Sequence, residues 1–248
     1  MSNDLKSRSA KPLALVTGAA RRLGRAIALG LAAEGYAIGL HYHQSEAEAN
    51  SLAAEIAASG GECLLLAADL TRPAEIEAMF ATVAESGYDL RVLVNSAAEM
   101  RHATLEEDTP AAWDATFDLN LRAAWLCARL AFALMRPHGG AIINISDAGA
   151  GRPWTGYAAY TVSKAALEAL TRLQAKQYAP AVRVNGVAPG LILPSEDLSE
   201  EVWQRLNVRL PLQENERCGA VVQAVVFLAQ NPYITGEVIA VDGGYRLT

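Results

Sequence analysis

Residues 12–33 read P-L-A-L-V-T-G-A-A-R-R-L-G-R-A-I-A-L-G-L-A-A, and this stretch decides the fold. The apolar run 12–17 predicts a buried strand, and its passage through a glycine loop into a helix predicts a strand, loop and helix in that order. Gly18 permits the tight turn. The backbone N–H groups that follow open a helix toward a pyrophosphate, and Gly24 lets that helix approach the sheet. Counted as T-G-x-x-x-G-x-G, the loop lacks its middle glycine: Arg22 stands there, followed by Leu23.

Working outward, apolar runs recur near 12–17, 36–42, 63–67, 91–95, 141–146, 181–187 and 238–242, with helical patterns between most of them. Such alternation predicts an α/β fold, a doubly wound parallel seven-stranded sheet with helices on both faces. With 248 residues, 52% hydrophobic and 19% charged, the chain suits one large core, so 12–248 is expected to form a single Rossmann-type domain. Residues 1–11 read as a flexible segment without the apolar centre of a signal peptide, and no stretch approaches the roughly eighteen apolar residues of a membrane span. A cytoplasmic protein is expected. The net charge of −6, with no basic run beyond Arg21–Arg22, argues against a nucleic-acid partner. Cys63, Cys127 and Cys218 are far apart and odd in number, which suits reduced thiols; no metal site is expected.

Charge at the end of the second strand bears on nucleotide choice, because an NAD-binding chain places Asp or Glu there against the ribose 2′-hydroxyl. Between Gly35 and Ser45 there is no carboxylate; His41, His43, Gln44 and Ser45 are available instead. Arg22 is expected to reach the same region and pair with a 2′-phosphate, so NADP(H) is the expected cofactor. A second cluster lies in I-I-N-I-S-D-A-G-A-G-R-P-W-T-G-Y-A-A-Y-T-V-S-K (142–164). If 157–179 is helical, Tyr160 and Lys164 share a face, and the ammonium is expected to favour the ionised phenol, giving a group able to exchange protons near neutral pH.

Together T-G-A-A-R-R-L-G, D-L at 69–70, N-S-A-A at 95–98, Asn120, Y-T-V-S-K and P-G at 189–190 resemble the short-chain dehydrogenase/reductase family, over about residues 12 to 246. The resemblance implies one domain carrying nucleotide, substrate and a catalytic tetrad, here Asn120, Asp147, Tyr160 and Lys164. The family's serine has become Asp147, and the neighbouring Ser146 points to the opposite face. The resemblance also implies that Asp69 and Leu70 border the adenine and that the backbone at Asn95 and Ala97 borders the cofactor ribose. By the same resemblance Pro189, Gly190 and Ile192 grip the nicotinamide carboxamide, and Asn120 holds a water that links Lys164 to solvent.

Aspartate at 147, Arg22 and the segment G-L-H-Y-H-Q-S-E-A-E-A-N (39–50) look like the pteridine reductase branch, although Met100 stands where that branch carries an aromatic ring and Gln44 where it carries arginine. An ionised aspartate accepts but cannot donate a hydrogen bond, which disfavours ketone reduction and matches a C=N bond in a pterin ring that brings its own N–H donors. The expected reaction is NADPH-dependent reduction of a dihydropterin or related folate, with Tyr160 as proton donor. A carbonyl reductase of small ketones or 3-oxoacyl thioesters, with Asp147 protonated, is the alternative; an idle NADP-binding sensor or scaffold is a third. Met100, Trp154, Leu193 and Trp203 are candidate substrate walls, and 191–213 a candidate lid. Apolar residues around much of 110–136 and 157–178 point to a homo-oligomer, and the resemblance favours a tetramer.

Overall fold

A computed structural model of the chain describes residues 10–194, 199–213 and 216–248. Most of the expected N-terminal segment, and 195–198 within the expected lid, lie outside the described residues.

The run 12–17 forms strand β1 (Pro12–Val16), and helix α1 (Arg22–Ala33) follows the glycine loop. Then come β2 (Ala37–Tyr42), α2 (Glu46–Ala58), β3 (Cys63–Ala67), α3 (Pro73–Glu85) and β4 (Asp89–Asn95). After β4 come α4 (Pro110–Phe117), a π-helical turn (Asp118–Arg122), α5 (Ala123–Met135), β5 (Gly140–Ile145) and α6 (Ala158–Tyr178). The remainder is β6 (Val182–Pro189), α7 (Glu200–Asn207), α8 (Arg217–Gln230), β7 (Val238–Val241) and a closing 3₁₀ turn (Tyr245–Leu247). The helix expected from Pro110 onward is thus interrupted by the π-helical turn.

The seven strands lie in the order β3-β2-β1-β4-β5-β6-β7, all parallel. Strand order reverses between β1 and β4, and the crevice outside the strands' carboxyl ends at that point is where such sheets bind ligands. Side-chain alternation builds a core on each face. Leu13 and Leu15 pack with Ile76 and Phe80 of α3, Leu126 of α5 and Ala175 of α6. Ala14 and Val16 pack with Ile27 and Leu31 of α1, Leu52 and Ile56 of α2, and Val221 and Val225 of α8. Because β1 is buried on both faces, the loop that leaves it has a fixed origin.

Candidate active site

Gly18 leaves β1 with φ at +65°. Its N–H donates to Nδ1 of His41 at 2.9 Å, while Nε2 of the same ring faces the Ala68 carbonyl at 3.1 Å. His41 therefore ties together the ends of β1, β2 and β3. Burial holds its pKa down at about 4, so the ring is neutral, with the proton on Nε2. The sequence offered His41 as a polar group available at the end of β2; both its nitrogens are already used. His43, Gln44 and Ser45 border the same cavity. Gly24 has no room for a side chain, since a Cβ there would collide with the Gly18 carbonyl.

Arg22 has φ at +52°, in the left-handed region that a glycine enters without strain, which accounts for the glycine usual at that place. Its guanidinium donates to the Pro194 carbonyl at 2.6 Å, bridging the glycine loop to the segment after β6. Arg21, one residue earlier, also borders the cavity and was passed over in the sequence. Thr17 fixes the opposite wall: its Oγ1 accepts the N–H groups of Ser96 at 2.9 Å and Ala97 at 3.1 Å. Asp69 accepts from the Thr71 N–H at 2.9 Å and hydroxyl at 2.7 Å, bonds that hold its carboxyl below the usual range.

Beside these residues lies one crevice of about 1090 Å³, above the roughly 300–1,000 Å³ of a single small-molecule site. Gly18, Arg22, Leu23, Gly24, Asp69, Leu70, Ala97, Pro189, Gly190 and Ile192 all border it. Glycine loop, helix N-terminus, basic pair and carboxylate-free β2 end fit a phosphorylated dinucleotide. Asn95 is the exception. Its side chain lies between the sheet and α5, where Nδ2 donates to Asn144 Oδ1 at 2.8 Å and to the Ala124 carbonyl at 3.4 Å, and the crevice begins at Ser96.

Toward the middle of the crevice, Tyr160 and Lys164 lie one turn apart on α6, both buried. The Tyr160 hydroxyl donates to Asp147 Oδ2 at 2.7 Å, and Asp147 Oδ1 accepts the Gly149 N–H at 2.6 Å. Lys164 donates to the Ile145 carbonyl at 2.8 Å and sits 5.7 Å from the Tyr160 ring centre. Burial raises the Asp147 pKa against the pull of these hydrogen bonds and of Lys164. Burial first, then the Asp147 charge and hydrogen bond, push Tyr160 well above its ordinary value. The expectation that Lys164 favours the phenolate is therefore not met in this arrangement: desolvation and a carboxylate raise the phenol, and the ammonium is itself lowered to about 8 by burial. Ser146 points away, its hydroxyl 3.1 Å from Glu168 Oε1.

Asn120 sits in the π-helical turn, buried. It accepts the Glu99 N–H at 2.9 Å and donates to the Glu99 carbonyl at 3.0 Å and to Ser163 Oγ at 3.1 Å. A small cavity of about 10 Å³, near the minimum for one water, is shared by Asn95, Asn120 and Lys164. The buried Asn95 Oδ1 has no partner among the described residues.

Met100, Trp154, Leu193 and Trp203 all line the crevice. So do Glu99, Tyr157, Leu206 and Tyr245, which the sequence did not single out. Tyr157 stands three residues before Tyr160, and that spacing was a usable signal. Tyr245 gave none, since its arrival depends on the return of the chain through β7.

A doubly wound parallel sheet, a glycine loop at its switch point and a buried tyrosine–lysine pair in the same crevice define an oxidoreductase that uses a nicotinamide dinucleotide. No cluster of side chains suited to a metal ion occurs among the described residues. The chain belongs to the short-chain dehydrogenase/reductase family: the family model described as enoyl-(acyl carrier protein) reductase matches residues 18–246. It is similar to the 3-oxoacyl-[acyl-carrier-protein] reductase FabG of Staphylococcus aureus, 36% identical over 239 residues that cover 93% of this chain and 96% of that protein. A 3-oxoacyl-[acyl-carrier-protein] reductase of Synechocystis is also 36% identical, with 94% and 96% covered. Among solved structures, FolM alternative dihydrofolate reductase 1 of Brucella canis, complexed with NADP, has a TM-score of 0.90 at 33% identity, covering 96% of this chain and 94% of that one. The Brucella suis protein of the same name, also with NADP, has a TM-score of 0.90 at 33% identity, with 96% of both chains covered.

Proposed function

We propose that this chain is an NADPH-dependent reductase of a dihydropterin or related folate. The observation that carries the reading is the 2.7 Å hydrogen bond from Tyr160 to Asp147, a carboxylate where the family's pattern places serine. Its cofactor is NADP(H), in keeping with the basic pair Arg21–Arg22, the β2 end without a carboxylate and the NADP bound in the Brucella relatives. When bound, NADPH supplies the hydride.

The chain's own residues handle the proton. Both Asp147 oxygens accept hydrogen bonds, so a substrate with N–H donors can take the place of the Tyr160 hydroxyl at Oδ2 and free that hydroxyl to face the substrate nitrogen. Tyr160 then gives its proton to that nitrogen as the adjacent carbon is reduced. Lys164 beneath the ring offsets the charge left on the phenolate, and a water in the cavity shared with Asn120 would return a proton from solvent.

The FabG relatives favour a second reading, reduction of a 3-oxoacyl thioester with Asp147 protonated and acting as a hydroxyl donor. The two separate in one assay, which follows NADPH absorbance against dihydrobiopterin, dihydromonapterin, dihydrofolate, a 3-oxoacyl thioester and simple diketones. Turnover confined to the pterins and folate is expected, and Asp147→Ser should reduce it by about 10²-fold or more. If Asp147→Ser raised pterin turnover, or only carbonyl compounds were reduced, the reading would be overturned.

A further inference from the structure

Loop 146–157 and the last turn of the chain are fastened to each other by Arg152. Its Nη1 donates to the Tyr245 carbonyl at 2.8 Å, its Nη2 to the Thr248 carbonyl, and its guanidinium carbon lies 4.9 Å from the Tyr245 ring centre. The turn is also held from beneath. Asp242 accepts the N–H groups of Gly244 and Arg246, both at 3.0 Å, and Gly243 and Gly244 have φ at +59° and +86°. A Cβ on Gly244 would lie 2.7 Å from Pro211, so this glycine is required by close approach as well as by conformation.

What the clamp presents is a ring. Tyr245 lines the same crevice as Asp147 and Tyr160, and its ring stands 6.0 Å from that of Trp154 at an interplanar angle of 66°. Trp154 is seated in turn against Gly149, where a Cβ would come within 2.7 Å of the indole. Tyr157 extends the cluster, 6.1 Å from Trp154. Two rings set steeply to each other allow a flat substrate to stack on one and meet the edge of the other, a geometry from which a linear acyl chain gains much less.

We propose that the closing turn is a specificity wall of the substrate site, in which Tyr245 contacts a planar heteroaromatic substrate and Arg152 is the residue that positions it. The choice of a flat ring rests on the dihydropterin reading; the wall itself does not.

The test measures kcat, the substrate KM and the NADPH KM for Tyr245→Ala, Tyr245→Phe, Arg152→Ala and Arg152→Lys, using whichever compound of the panel above the unaltered enzyme reduces. Tyr245→Ala should raise the substrate KM about tenfold with the NADPH KM unchanged, and Tyr245→Phe should restore it. Arg152→Ala should move the same KM in the same direction. Arg152→Lys should not rescue it, because an ammonium cannot reproduce the fork to two carbonyls and the stack on the ring. A substrate KM that stays within twofold of the unaltered enzyme would overturn the proposal. So would a parallel rise in both KM values with a lowered melting temperature, the mark of a merely structural contact. Failure of the unaltered enzyme to reduce any pterin would sink the dihydropterin reading, and the wall would still be judged on the carbonyl substrate's KM.

Discussion

Burial, and after it the charge and hydrogen bond of Asp147, hold Tyr160 in its neutral form, and the Lys164 ammonium 5.7 Å from the ring centre is the cation set beside it. With the Lys164 pKa near 8, the free enzyme loses its ammonium within an ordinary assay range. We expect kcat/KM for NADPH, which reports groups of the free enzyme, to fall as pH rises through about 8. Stability should move the other way. The folded pKa lies below the ordinary 10.5, so between about 8 and 10.5 the unfolded chain binds more protons, and stability gains from this group as pH rises. An activity loss above pH 8 caused by unfolding would show a falling melting temperature over the same interval. Lys164→Met should remove the alkaline limb along with most of the activity. A limb at the same pH in that variant would assign it to another group.

At the scale of elements, the crevice is shaped by how closely α1 and the ends of three strands approach one another. Gly24 lies on the first turn of α1 against the Gly18 carbonyl, so Gly24→Ala must push the helix away from β1. The expected result is a loss of about 1–3 kcal/mol of stability in urea unfolding, together with a raised NADPH KM. A variant as stable as the original with unchanged KM would show that the helix has slack there. The glycine loop, the seven strands and their parallel sense were legible because each rests on local periodicity or on a glycine whose conformational need is visible in a short window. The Tyr160–Lys164 pair was legible for the same reason. The π-helical turn that carries Asn120 was not, since a one-residue shift of helical phase leaves no trace in a segment with apolar residues around much of its circumference. The role of His41 is hidden for a similar reason: an imidazole at a strand end reads as a polar group open to a ligand until the Gly18 N–H and the Ala68 carbonyl are seen on either side of it. Arg22 was recognised as an exception to the glycine pattern, but its bond to Pro194 spans 172 positions and leaves no local trace.

For the whole molecule, the remaining apolar surface argues for association of identical chains. Helix α6 buries Tyr160, Lys164 and Leu167 inward, yet its other side carries Val162, Ala165, Ala169 and Leu173, all exposed and spaced three, seven and eleven residues along one face. Leu173 is 67% exposed and Val162 46%. On α5, Trp125 is 42% exposed, with Arg129 laid over its ring at 5.8 Å. A helix that carries Tyr160 and Lys164 on one side and leaves an apolar stripe on the other is incompletely packed in a lone chain, and covering that stripe would restrain the helix that holds the site. A homo-oligomer is expected in solution, with a tetramer favoured by the family pattern. Sedimentation velocity should show one species larger than the 26.3 kDa chain, and Leu173→Glu should shift it to a smaller one. The dissociated variant should also lose activity, because Leu173 shares its helix with Tyr160 and Lys164, whereas a monomeric parent chain with full turnover would mean the stripe has no such role.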